Sequence, residues 1–387
     1  MYSQINFYAG SNLYLNLYCF FLYCFLLLIS LRGNIGVINR DRYSIRSFLL
    51  FCGIILFALT SFINDDFFHY YETMIEYKNG VMDSQYLGIE MPYQHIIHFI
   101  QGNYALFRLI VWGGSLLLIL ISVKIFETNT YNTLFLILAG YIMIYSYARA
   151  TLAMSIYTLG VIIVCVESEH KFNLLKKIIG ILIITLSIYF HRSMVPVVIL
   201  SLFFILLPYK RKFAKISLII FPIIVFLFST GLQIVIDDLP LISNSFADDE
   251  TGILRKIEHY EELTTATSNF KGYIGLILKY STFYIPFVII ANRFRTSSEM
   301  INIRKRGLFL YLITYIIIAA ATSMLFLGIS NSVLFYRYLF MSFIPMSILI
   351  SYMRKYKMLE RRQYNTIISC FVLSNLFQLF TAVYSKM

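Results

Sequence analysis

The chain has 387 residues, of which 59% are hydrophobic and 17% aromatic, and only 13% are charged, about half the share of an average soluble domain. That excludes an ordinary soluble domain and a disordered chain, and apolar runs recurring from end to end require lipid as the solvent. Because the runs are continuous and not short alternating strands, the expected class is an all-α polytopic membrane protein and not a transmembrane barrel.

In chain order, runs of membrane-spanning length predict twelve spans near 12–31, 47–63, 104–123, 131–148, 150–166, 177–190, 194–207, 216–234, 272–291, 308–328, 334–352 and 365–384. The first 31 residues hold no Lys or Arg, and Arg32 and Arg40 follow the first run without a small-residue cleavage site. The expectation is a retained first helix with its N-terminus outside. The connections 32–46, 124–130, 167–176, 208–215, 292–307 and 353–364, with their bordering residues, hold 22 of the 32 Lys and Arg against six acids, a net of +16; the remaining 10 bases and 14 acids net −4. These connections are therefore expected in the cytoplasm by the positive-inside rule. The net charge of +12 is thus a topology signal, and no nucleic-acid partner is needed to explain it. Residues 1–387 read as one transmembrane domain with two sizeable outer loops, 64–103 and 235–271, and both termini outside.

No Walker motif or Gly-rich dinucleotide loop occurs, so no cofactor is expected. Cys19, Cys24, Cys52, Cys165 and Cys370 lie within apolar stretches, without spacing for a disulfide framework or a zinc site. His95 and His98 are three apart in the first outer loop, too few for a metal centre without a third ligand. No metal is expected. The loop 235–271 is acidic and polar, with Tyr260 and Phe270 as rings able to stack on sugars; it reads either as a solvated loop or as a determinant of glycan specificity.

Four arginines stand in apolar sequence at one depth, the outer membrane boundary: Arg108 at the start of span three, Arg149 between two short spans, Arg192 beside His191 in the turn between spans six and seven, and Arg337 after a short outer turn. A guanidinium there faces a cavity or a partner. Two readings stand side by side. The arginines brace Asp65, Asp66 or Glu90, or they converge as forks on a diphosphate, whose oxygens accept bidentate charge-assisted bonds. His191 and Asp66 are the alternative general bases, because a neutral imidazole or a carboxylate at the membrane face accepts a hydroxyl proton. Asp66 and Tyr70, four residues apart, share a face if the segment is helical.

The ordered set Asp66 and Tyr70; Glu90, Pro92 and Tyr93; Arg149 followed by Ala150 and Ala153; His191 and Ser193; and Arg337 with Tyr338 resembles the EpsG/Wzy-type polysaccharide polymerases of bacteria, over about residues 50–350. The pattern departs from that family in lacking an Arg shortly before the acid, where Leu59-Thr60-Ser61-Phe62 stands; Arg108 is the candidate in its place. The resemblance implies a bundle like that of GT-C glycosyltransferases and a hexosyltransferase-type activity at the outer face of the bacterial inner membrane. The growing O-antigen or capsule glycan would leave undecaprenyl diphosphate for the end of a new lipid-linked repeat unit. It implies diphosphate binding by Arg149, Arg192, Arg337 and Arg108, further substrate contacts by Tyr70 and Glu90, and a chain-length regulator protein as a partner. A flippase or other transporter of the same lipid-linked oligosaccharide, and an O-antigen ligase, are the competing readings.

Overall fold

The computed structural model describes residues 13–34, 40–60, 65–80, 89–140, 148–166, 173–206, 270–296, 307, 309–315, 317–318 and 339–384. Among them every regular element is a helix. The predicted span at 216–234, the loop 235–269 and the segment 319–338, which holds Arg337, lie outside the described residues.

The chain opens with α1 (Leu13–Asn34) and α2 (Arg40–Thr60). Two helices then fill part of the segment expected as a first outer loop: α3 (Asp65–Lys78) and α4 (Met91–Phe99). Neither is an apolar run, so hydropathy passed over them. Asp65 and Asp66 in the first turn of α3 and Lys78 in its last match the helix dipole, and Pro92 in the first turn of α4 costs no hydrogen bond there. Gly102 turns the chain from α4 into α5 at φ 67°, and a Cβ on it would come within 2.9 Å of the Met74 carbonyl oxygen of α3. Both the dihedral and the close approach require glycine.

Helix α5 (Tyr104–Ile125) is capped by Asn103, which accepts from the Leu106 amide at 3.3 Å, and it contains one π-helical turn at Leu109–Gly113. Helix α6 (Thr130–Ala139) stops earlier than its apolar run predicts. The ring of Phe343 occupies the space beside Gly140 that a Cβ would take. Helix α7 (Ala148–Cys165) is followed by α8 (Asn173–Phe190), a single 3-10 turn at Arg192–Met194, and α9 (Val195–Leu206). Then come α10 (Phe270–Thr296), α11 (Phe343–Lys355) and α12 (Arg361–Tyr384).

Helices α6, α7 and α11 are buried on nearly all sides and form the centre of the bundle. Around them α1, α2, α8 and α12 turn large apolar side chains outward, among them Phe25, Phe48, Leu182 and Phe380. Apolar surface spread in this way over the outer helices suits a lipid surround and is costly in water. Two helices, α5 and α7, are long and apolar enough to cross a membrane. Helices α7 and α8 pack closely through Gly160 and Gly180: a Cβ on Gly160 would stand 2.7 Å from the Gly180 carbonyl oxygen and 2.8 Å from the Ile184 amide nitrogen. Small residues let two backbones approach in this way. Polar bonds join the central helices to the outer ones. Tyr23 and Asn375 both donate to the Ala139 carbonyl at the end of α6, and Tyr364 donates to Asn132 at 2.8 Å.

Candidate functional site

At one end of the bundle, two residues from distant segments, Arg149 and His191, converge on the carboxylate of Glu90. Glu90 is the N-cap of α4, with its backbone at φ −58° and ψ 139°, and Pro92 follows in the first turn. Its carbonyl accepts from the Tyr93 amide, as an N-cap carbonyl should, while its side chain makes no cap. The carboxylate is thereby free to reach outward. Arg149, in the first turn of α7, donates from Nη1 to Glu90 Oε2 at 2.5 Å. His191 Nδ1 stands 2.9 Å from Glu90 Oε1.

The His191 backbone is extended, φ −158° and ψ 111°, which ends α8 and turns the chain into the 3-10 turn. That break places the imidazole at the helix junction and not along a helix face. Tyr93, one helical turn after Glu90, donates from its hydroxyl to the Arg149 carbonyl at 2.9 Å. The same turn of α4 therefore holds Arg149 twice, by its side chain and by its backbone. Phe107 and Phe190 pack around the Tyr93 ring, and the Arg149 guanidinium lies 5.5 Å from the centre of the Tyr70 ring, which α3 supplies. A guanidinium over a Tyr face is a favourable cation–π arrangement.

Burial alone would push the Glu90 carboxyl up. The hydrogen bond from His191 and the charge of Arg149 outweigh it and hold the carboxyl at about 2, against the ordinary 4.5. Glu90 is an anion at any physiological pH. Its side chain is 10% exposed, those of His191 and Arg149 17% and 31%, so part of the imidazole and of the guanidinium side chain remains exposed. Arg192, next in the chain to His191, is exposed.

The structure thus brings together Glu90, Arg149, His191 and Tyr70 of the residues the sequence singles out, with Arg192 adjacent in sequence to His191. Glu90 has both carboxylate oxygens engaged by protein groups, so it holds Arg149 and His191 together. Arg108 is held by α2. It is 1% exposed, donates to the Leu59 carbonyl at 3.0 Å and lies 5.4 Å from the Tyr104 ring centre. A cation on a carbonyl in the last turn of α2 braces a helix end, and a buried guanidinium so placed does not present its fork to a ligand. Asp66 sits in α3 one turn before Tyr70, on the same face of that helix. Arg337 lies outside the described residues. In α4, His98 Nδ1 is 2.7 Å from the Tyr77 hydroxyl, and among the described residues no three His, Cys, Asp or Glu come together to hold a metal ion.

In the sequence Tyr93 is one residue of the Glu-x-Pro-Tyr motif with no task assigned to it. The signal was available: Glu-x-Pro-Tyr puts an N-cap acid and a phenol on adjacent positions of one helical turn, so both can grip one partner. No protein-family model, characterised protein or solved structure matches this chain.

Proposed function

We propose that the chain is a multi-pass membrane glycosyltransferase, a polysaccharide polymerase that moves a growing glycan from undecaprenyl diphosphate to a new lipid-linked repeat unit at the outer face of the bacterial inner membrane. The observation that carries this reading is the convergence of Arg149 and His191, from different helices, on the single carboxylate of Glu90, with the exposed Arg192 next in the chain to His191. The exposed part of Arg149, together with Arg192 and Arg337, provides donors for the departing diphosphate. His191 serves as the base, and Asp66 is the alternative. Chemically, the acceptor hydroxyl oxygen bonds to the donor sugar's anomeric carbon and its proton passes to the base. The bond from that carbon to the diphosphate oxygen breaks, and the electron pair leaves with undecaprenyl diphosphate. Neither a nucleotide sugar nor a metal takes part.

The test is deletion of the gene in its own host, followed by separation of the surface glycans. A ladder collapsed to single repeat units, restored by the wild-type gene and not by an Arg149→Ala/Arg192→Ala double variant present in equal amount, is the expected result. Full-length polymer retained on the undecaprenyl carrier would mark a ligase, and lipid-linked units trapped on the cytoplasmic leaflet would mark a transporter. Either outcome would overturn the reading.

A further inference from the structure

The Glu90 carboxylate receives one partner on each oxygen, Arg149 on Oε2 and His191 on Oε1. An ionised carboxylate only accepts, so the hydrogen between it and the ring resides on Nδ1. In the neutral ring the free lone pair is then on Nε2. We infer that Glu90 is the positioning residue of the site: it fixes His191 as the Nδ1–H tautomer, with Nε2 turned into the acceptor of the glycan hydroxyl proton, while Arg149 fixes Glu90. This rests on the proposed role of His191 as base and supplies the group that makes that base usable.

The surroundings of Glu90 suit the task. The carboxylate stands on the N-cap of a helix whose entry is closed by Pro92 and by a bond from Gln94 Nε2 to the Ile89 carbonyl at 2.8 Å. The Tyr93 hydroxyl ties that same turn to the α7 backbone. A group whose own position is locked by neighbours can lock another. When Nε2 takes the hydroxyl proton, the ring becomes a cation facing the Glu90 anion, so the carboxylate also stabilises the charge that develops in the step.

Glu90→Gln separates positioning from mere bracing. The amide offers one oxygen and one NH2 group. Arg149 has only donors, so the amide oxygen must face it, and the NH2 then faces His191 Nδ1. That nitrogen has to become an acceptor, and the ring proton moves to Nε2, where it blocks uptake of the hydroxyl proton. Glu90→Asp keeps two accepting oxygens and with them the wild-type tautomer.

The experiment is nitrogen NMR of the full chain labelled with 15N-histidine in lipid nanodiscs, His191 being assigned by the signals lost in His191→Asn. Expected are a protonated Nδ1 and a bare Nε2 in the wild type and in Glu90→Asp, and the reverse in Glu90→Gln. Turnover of lipid-linked repeat units by Glu90→Gln should fall about 10³- to 10⁴-fold, the scale seen when a catalytic histidine is held in the wrong tautomer, with KM little changed. Glu90→Asp should recover part of the rate. A wild-type ring protonated on Nε2 would overturn the inference, and this arm stands even if Glu90→Gln does not fold. So would a Glu90→Gln ring that keeps the wild-type pattern. A switched tautomer beside undiminished polymerisation would confirm the hold of Glu90 on the ring and would instead remove His191 from the chemistry proposed above.

Discussion

The proposed function gives Arg149 two tasks that mutation can pull apart. Its guanidinium neutralises the nearly buried Glu90, and in that proposal its exposed part also binds an anion. Arg149→Ala therefore removes charge-assisted bonds worth roughly 1.5–3 kcal/mol each, about a 10- to 150-fold loss of rate at about 1.4 kcal/mol per decade. It also leaves a carboxylate without its counter-ion, which is costly when buried. The expected result is lower activity together with less folded protein in the membrane. Arg149→Lys keeps a counter-ion for Glu90 but removes the planar fork, so it should restore the amount of folded protein while recovering polymer only in part. If Arg149→Lys regains polymer in step with abundance, Arg149 is a brace alone. At this scale the sequence revealed the participants, because Arg149, His191 and Glu90 are charged or titratable groups at the edges of apolar runs, where each requires an explanation. That one carboxylate serves both partners was not legible. Positions 90, 149 and 191 share no periodicity, and only the packing of α4 between the ends of α7 and α8 brings them together.

Between elements, the tightest approach is the glycine crossing of α7 and α8. The atoms nearest to an added Gly160 Cβ include the Gly180 carbonyl oxygen and the Ile184 amide, and backbone cannot rotate away as a side chain can. Gly160→Ala should force the two helices apart. Because α8 ends on His191 and α7 begins beside Arg149, the strain acts on the site as well as on the bundle. Overpacking of this kind costs about 1–3 kcal/mol or more, so the amount of folded protein in detergent and its melting temperature should both drop, while Gly114→Ala, whose added Cβ would meet a Leu152 methyl at an ordinary 3.7 Å, should cost far less than Gly160→Ala. Equal melting temperatures for the two variants would contradict the close crossing. Long apolar runs foretold most of the helices, since a continuous run has few other solutions in lipid. Hydropathy did not reveal α3 and α4, whose sequences are polar or short, or the early end of α6 at Gly140, where the Phe343 ring, 203 positions further along the chain, fills the space a Cβ would take.

Among the described residues, the contacts made by charged side chains gather at two ends. One end holds Glu90, Arg149 and His191, with the Arg108 bond to the end of α2 nearby. The other holds the Lys355 bond to the Glu127 carbonyl, the Ser351 bond to the Asn129 carbonyl at 3.0 Å, and the pairing of Arg293 with Glu360 and Gln363. Helix α5 links the two ends, and its 22 residues span about 33 Å at about 1.5 Å per residue, close to the roughly 30 Å of a bilayer core. The contacts of the first end come from segments whose charge pattern assigns them to the outer side, and those of the second from segments rich in Lys and Arg. A chain folded with one of those segments on the wrong side would break these contacts, so sidedness and site depend on each other. Reporter fusions after Arg211 and after Arg304, both outside the described residues, should therefore read cytoplasmic, whereas fusions within 64–103 and 240–268 should read external. An external reading after Arg304 together with a cytoplasmic one within 240–268 would invert α10 between them. Arg293, near the end of α10, would then be separated by the membrane from Glu360, and neither the pairing at that end nor the outward orientation proposed for the site at the other could stand.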